Sequence, residues 1–209
     1  MLLTKLKIIE QSVLYPVMEQ FLTLQGEGFW SGSAAWFIRL AGCDVGCVWC
    51  DVKESWAADA HPVLAIDEML LQAKQSSVPV AVVTGGEPLL HNLDALTEGL
   101  KTSGMRTHLE TSGTQPLTGE WDWITFSPKK FKAPLDEFYG RHDELKIIIH
   151  NRHDLTWAEE QAEMCTTPSH RFLQPDWFRP ESVDWIIEYI KKNPKWRMSL
   201  QTHKFMNIP

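Results

Sequence analysis

The stretch "AAWFIRLAGCDVGCVWC", residues 34 to 50, joins two patterns that fix the plan of the chain. Its first nine residues are mostly apolar and end in glycine, as a short buried strand of a parallel sheet does. The next eight carry three of the four cysteines, Cys43, Cys47 and Cys50, spaced C-x3-C-x2-C in the loop that the strand delivers. A strand that hands chemistry to the loop at its C-terminal end is the plan of β/α barrels, where those ends share one face and build the site.

Working outward, similar strand-like runs follow: "VPVAVVTGG" (78–86), "MRTHLETSG" (105–113), "WDWITFSP" (121–128), "ELKIIIH" (144–150), "RFLQP" (171–175) and "WRMSLQTH" (196–203). Helical periods lie between several of them: "IDEMLLQAKQ", "NLDALTEGLKTSG" with Asn92 as cap and Gly104 as stop, "DLTWAEEQAEM", and "PESVDWIIEYIKKNP" with Pro180 in its first turn. The alternation fails in the middle, where "PLTGE" and "KKFKAPLDEFYGRHD" leave little room for crossover helices. The expected fold class is therefore α/β, an incomplete TIM-like β/α barrel with a reduced helix count in its middle. One domain over residues 1–209 is expected, with residues 1–14 an N-terminal extension of no assigned role. The strand ends "TGGEP", "ETSGT", "SPK", "LQP" and "QTHK" would then meet the cysteine loop on one rim.

Composition narrows the function classes. A net charge of -7 speaks against a surface built to neutralise phosphates, so no nucleic-acid partner is expected. No segment approaches the roughly 18 to 20 uninterrupted apolar residues of a membrane span, and the start lacks the marks of a signal peptide. The expected location is the cytoplasm, where a tight cysteine trio reads as a metal or redox site rather than as disulfides. Ten tryptophans point to a large core or interface.

A structural zinc normally closes with four ligands, yet Cys165 stands far off in a helical stretch and the loop holds no histidine. Cys165 reads as a small buried hydrophobe. A [4Fe-4S] cluster on three thiolates keeps its fourth iron open, which suits reaction better than plain electron transfer. Zinc and a bare redox or electron-transfer module stand as the alternatives.

The spacing, with Trp49 before the last cysteine, resembles the signature of the radical S-adenosylmethionine (SAM) enzymes. The resemblance implies a partial barrel of that type, with a [4Fe-4S] cluster whose open iron chelates SAM and releases a 5'-deoxyadenosyl radical. On that reading Gly85 and Gly86 let backbone approach the methionyl group, and Glu87 accepts from its amino group. Glu110 and Ser112 would hold ribose hydroxyls, Trp49 would pack near adenine, and Ser127, Pro128, Lys129 and Gln174 would complete the SAM site.

Four further stretches, "TLQGEGFWSG", "CDVK", "SPK" and "SLQTHKFMNIP", resemble the 7-carboxy-7-deazaguanine synthase family over about Tyr15 to Pro209. That family contracts the ring of 6-carboxy-5,6,7,8-tetrahydropterin in queuosine precursor synthesis, by hydrogen abstraction at C6, rearrangement and loss of ammonia. By the resemblance Leu24, Gln25, Gly26, Glu27, Thr84, Arg39, His203 and the terminal carboxylate of Pro209 contact substrate, and a tag after Pro209 is expected to impair turnover. Arg39 supports this independently, because a guanidinium among Trp36, Phe37, Ile38 and Leu40 needs an anionic partner; that partner is the substrate carboxylate or a protein acid. His203 is placed at the last strand end, near the reacting ring.

The family's magnesium-requiring members carry a hydroxyl residue directly after "CD", whereas this chain has Val52. Magnesium is then expected through Asp51, water and substrate oxygens, with weaker binding or none as the alternative. The resemblance also implies an electron donor such as flavodoxin and a homodimer. A glycyl-radical activating enzyme, which shares the cysteine motif, is the second enzymatic reading, and "QGEG" and "QTHKFMNIP" speak against the open groove it needs.

Overall fold

The computed structural model describes residues 12–209. Its first strand, β1 (Leu14–Leu24), precedes those read from the sequence and runs antiparallel to β2 (Ala34–Leu40). Polar Glu19, Gln20 and Thr23 mask it in the sequence, but Tyr15 and Val17 are buried and its pairing with β2 is nearly continuous. The extension drawn at residue 14 thus ends inside a strand, and residues 1–11 lie outside the described part.

The chain continues through β3 (Val63–Ala65), α1 (Ile66–Gln75), β4 (Val80–Gly85), α2 (Asp94–Thr102), β5 (Arg106–Thr111), β6 (Trp123–Phe126) and β7 (Glu144–Ile149). It ends with α3 (His153–Met164), β8 (His170–Pro175), α4 (Ser182–Lys192), β9 (Arg197–Met198) and α5 (Thr202–Met206). One nine-stranded sheet holds these strands in the order β3-β1-β2-β4-β5-β6-β7-β8-β9. From β2 to β9 every neighbour is parallel and in chain order, which is the winding of a β/α barrel. The sheet is not closed, since β3 and β9 are its two ends. The expected partial barrel is the observed fold.

The missing central helices are real. Residues 112–122 form no helix, and residues 127–143 hold only a short 3-10 turn, Asp136–Gly140. Where helices do form, an apolar face meets the sheet: Met69 and Ala73 of α1, Leu96 and Leu100 of α2, and Ile186 of α4 are buried. Cys165 caps the end of α3, packs against this core and donates from Sγ to the Gln161 carbonyl at 3.3 Å.

Three local expectations shift. Asn92 accepts from the Asp94 amide at 2.9 Å from one position before the N-cap, which is Leu93. Pro180 precedes α4 instead of opening it, since the helix begins at Ser182. The strand read at 196–203 shrinks to β9, because the chain leaves the sheet after Met198 and turns into α5. Among the described residues no helix is long and apolar enough to cross a membrane.

Candidate active site

A cavity of about 350 Å³ opens at the C-terminal ends of the parallel strands, where the barrel winding places it. All the residues expected at the site line it except Glu87 and Pro128. Among the further residues that line it are Lys146, Gln201 and Lys204.

Cys43, Cys47 and Cys50 are free thiols on one wall, in a loop that folds back so that the Cys50 amide donates to the Cys47 carbonyl at 3.1 Å. Among the described residues no three His, Cys, Asp or Glu side chains are grouped closely enough to hold a single metal ion, these thiols included. A tetrahedral zinc gains no support from that spacing. The donor set does fit a cluster: burial, reinforced by neighbouring thiols, pushes Cys47 up to about 11 and raises Cys43 as well. A buried and a half-buried thiol that both resist ionising need a cationic core to become thiolates, and an iron-sulfur cube supplies one. Lys129 lies close by, with its ammonium 5.8 Å from the centre of the Trp49 ring and donating to Ser127 Oγ and O at 2.5 and 2.6 Å.

The floor of the cavity is a knot of buried charge. Lys146, in the middle of β7 and only 4% exposed, donates to Glu27 Oε2 at 2.5 Å and to Glu110 Oε2 at 2.7 Å. Burial alone would lower its affinity for protons, but the two carboxylates outweigh that and raise it. Burial alone would raise the Glu27 carboxyl, and Lys146 with Gln201 instead holds it below its ordinary range. Gln25 ties the knot to the loop after β1: its amide donates to Glu110 Oε1 at 3.1 Å and accepts from the Glu27 amide at 3.0 Å. Gln25 and Glu110, expected to meet ligands alone, are therefore first of all partners of one another.

Glu87 requires a correction. It is 1% exposed, and its carboxylate accepts from Thr111 Oγ1 at 2.6 Å, from the Ser112 amide at 2.8 Å and from the Leu89 amide at 3.2 Å, and also takes the Ser112 hydroxyl. A carboxylate so surrounded clamps the end of β4 to the end of β5, and the Ser112 hydroxyl is its partner before it is any ribose's. Pro128 is buried away from the cavity. Gly85 and Gly86 line the cavity, but a Cβ on either would overlap the backbone oxygen of Leu40 or Gly42. Their missing side chains let β4 and its loop pack on the end of β2; φ at Gly85 is +142°.

Arg39 is partly buried and already paired, its Nε donating to Glu19 Oε1 at 2.7 Å across the β1–β2 ladder. The protein acid is thus a partner in fact, and the guanidinium still faces the cavity. His203 stands on α5 rather than at a strand end, with its ring over Gly26 where a Cβ would collide with it. Burial lowers its proton affinity. The segment around it is laced to the loop after β1: Thr202 donates from N and Oγ1 to the Gly26 carbonyl, both at 2.9 Å, and Thr23 Oγ1 donates to a backbone oxygen of Pro209 at 2.9 Å. Gln174 lines the cavity with its Oε1 accepting from Ser199 Oγ at 2.7 Å, while Thr84 and Leu24 border the space between.

The residues present do not fit a protein-held magnesium. Val52 offers no oxygen, and Asp51 Oδ2 already accepts from Lys204 Nζ at 2.5 Å and from Gln201 Nε2 at 2.9 Å. Burial would raise the Asp51 carboxyl, but these two donors outweigh it and lower it.

Comparison with known proteins bears on this geometry. Residues 37–133 match the model of the radical SAM superfamily. The 7-carboxy-7-deazaguanine synthase of Flavobacterium psychrophilum is 50% identical, over 96% of this chain and 96% of its own. That of Synechocystis sp. is 46% identical over 94% and 95%, and that of Escherichia coli 34% identical over 93% and 99%. The crystal structure of QueE from Escherichia coli superposes with a TM-score of 0.81 at 31% identity, covering 90% of this chain and 93% of that one. With likeness of this degree over nearly the whole length, the chain belongs to the 7-carboxy-7-deazaguanine synthase family of radical SAM enzymes.

Proposed function

We propose that this chain converts 6-carboxy-5,6,7,8-tetrahydropterin to 7-carboxy-7-deazaguanine with loss of ammonia, a step in queuosine precursor synthesis. One observation carries the reading: three free thiols and the Lys146–Glu27–Glu110 knot border the same cavity. When bound, the [4Fe-4S] cluster and SAM supply a carbon radical that takes hydrogen from carbon.

The protein's part is to hold, orient and keep dry. Cys43, Cys47 and Cys50 would hold the cluster. Trp49, Gly85, Gly86, Ser112, Ser127, Lys129 and Gln174 would border SAM, with Glu87 and Pro128 acting as positioning residues behind them. The pterin carries N–H donors on its guanidine-like edge, and the carboxyl groups of Glu27, held low by Lys146, and of Glu110 offer oxygens suited to that edge. Arg39 is the cation for its carboxylate, while Leu24, Gln25, Gly26, Thr84, His203 and Pro209 would complete the substrate wall. The contacts from Thr202 to Gly26 and from Thr23 to Pro209 draw the last residues over the cavity, which excludes water from the reacting carbon. A one-electron donor such as flavodoxin and a homodimeric assembly belong to this reading on the family resemblance alone.

The test is anaerobic reconstitution followed by product analysis with SAM, a reductant and 6-carboxytetrahydropterin. The reading expects about four irons and four sulfides per chain and formation of 7-carboxy-7-deazaguanine. Cluster assembly and SAM cleavage without that product would sink the substrate and leave the superfamily chemistry standing.

A further inference from the structure

The cavity holds a cation that the reaction just described does not use. Lys204, on α5, places its ammonium on Asp51 Oδ2 at 2.5 Å, on Gln201 Oε1 at 3.0 Å and 4.9 Å from the centre of the Trp177 ring. Two oxygens and an aromatic face satisfy an ammonium and fix its position. Gln201 in turn donates to Asp51 Oδ2 and to Glu27 Oε1, both at 2.9 Å, so the charge is tied to the loop after Cys50 and to the charged floor at once.

A divalent ion at this place would need the Asp51 carboxylate and further hard oxygens. The neighbouring side chain is Val52, which has none, and the carboxylate is neutralised by an ammonium that would repel a second cation beside it. Lys204 supplies positive charge and N–H donors at the cavity wall without an open coordination position. With Arg39 on β2 it adds to the cations that line the cavity, beside Lys129 near the thiols and Lys146 on the floor, for a substrate that carries a carboxylate.

We propose that the Lys204 ammonium stands in place of a divalent cation beside Asp51, so that this chain binds and orients its substrate without magnesium. The inference rests on the proposed substrate for its activity arm only.

The experiment uses reconstituted holoenzyme with SAM and 6-carboxytetrahydropterin, with Mn2+ as a paramagnetic probe of divalent binding. Wild type is expected to turn over equally in chelator and in magnesium, and to take up no Mn2+ by electron paramagnetic resonance. K204M should raise KM about tenfold or more, the loss of a charged hydrogen bond, with no rescue by magnesium because Val52 still offers no ligand. The double variant K204A/V52T removes the ammonium and restores an oxygen; it should bind one Mn2+ per chain and become magnesium-dependent. Stoichiometric Mn2+ uptake by wild type, turnover lost in chelator and regained with magnesium, or an unchanged KM in K204M would each overturn the proposal. Circular dichroism and SAM cleavage without substrate identify a variant that has failed to fold, and the wild-type and K204A/V52T Mn2+ measurements then decide. If no product forms in any arm the proposed function falls, while Mn2+ uptake still answers this question.

Discussion

The two ends of the barrel are closed by one loop in opposite ways. Toward the C-terminal ends of the strands, Gln25 and Glu27 join a network in which Lys146, Glu110, Glu27, Gln201 and Asp51 each have polar partners. A few residues on, the same loop turns to the N-terminal ends, where Phe29 and Trp30 plug the barrel against Trp123, His108 and His170, with ring centroids 4.3 to 5.5 Å apart. There the indole nitrogens of Trp30 and Trp123 and Nε2 of His108 are buried without a partner among the described residues. One end pairs its central charges around an open space; the other packs rings into its space and leaves polar atoms unsatisfied. Site geometry comes from fixed charges, and the plug holds the barrel shut beneath them. Glu144, 2% exposed, lies between the two: it accepts from the Phe29 amide at 2.8 Å, and Lys146 on the same strand influences its charge.

The sharpest way to break this contrast is to remove the central cation. Lys146→Met keeps much of the volume but leaves Glu27 and Glu110 as uncompensated buried carboxylates. A loss of about 3–5 kcal/mol is expected in urea denaturation near neutral pH, together with loss of product formation. The stability loss, though not the loss of product, should ease toward acid pH, where Glu27, no longer held low by Lys146, takes up a proton. Wild-type stability in this variant would mean that the network is an ornament of the cavity and not its frame.

Lys146 also shows where sequence reading stopped. The parallel strands, the open barrel and the cysteine loop were legible, and nearly all the residues expected at the site do line the cavity, because apolar runs ending in turn residues and a cysteine spacing are local signals. Lys146 lies in "ELKIII", which reads simply as a strand, although the argument applied to Arg39, that a cation among apolar strand residues needs a partner, applies to it with more force. Arg39 itself is paired with Glu19, on the strand that polar residues concealed. Glu87 sits in a motif that points to the cofactor, yet its partners come from the end of β5, and only the fold brings them to it. Long-range pairing decided these cases, and no window of the sequence contains it.

The group between the two ends sharpens the comparison through pH. Burial, and then the nearby Glu110 and Glu27, push the Glu144 carboxyl up to about 7 from an ordinary 4.5, in spite of Lys146. A carboxyl whose folded value is raised contributes stability below its unfolded value and loses it as pH rises through the folded one. Wild type should therefore lose up to about 3 kcal/mol between pH 4.5 and somewhat above pH 7. Glu144→Gln keeps an acceptor for the Phe29 amide and has no proton to lose, so its melting temperature should stay flatter across that window. Parallel pH profiles for the two proteins would assign the group to neither end.

At the plug the expected change is smaller and of opposite sign. His108 is 3% exposed, and burial, helped by the Arg106 guanidinium, pushes its ring down to about 4 from 6.5. Because the depressed ring stays neutral in the folded chain and takes a proton when unfolded, its contribution is present above pH 6.5 and lost as pH falls toward 4. His108→Phe fills a similar space among Trp30 and Trp123, removes the orphaned Nε2 and ends the acid penalty. It should stabilise the protein by about 1 kcal/mol at pH 8, the cost of an unmade hydrogen bond, and by about 2 kcal/mol at pH 5.5, with KM for substrate unchanged. A gain that does not grow on the acid side would show that His108 reaches water when protonated, and the plug would then be less dry than its packing implies.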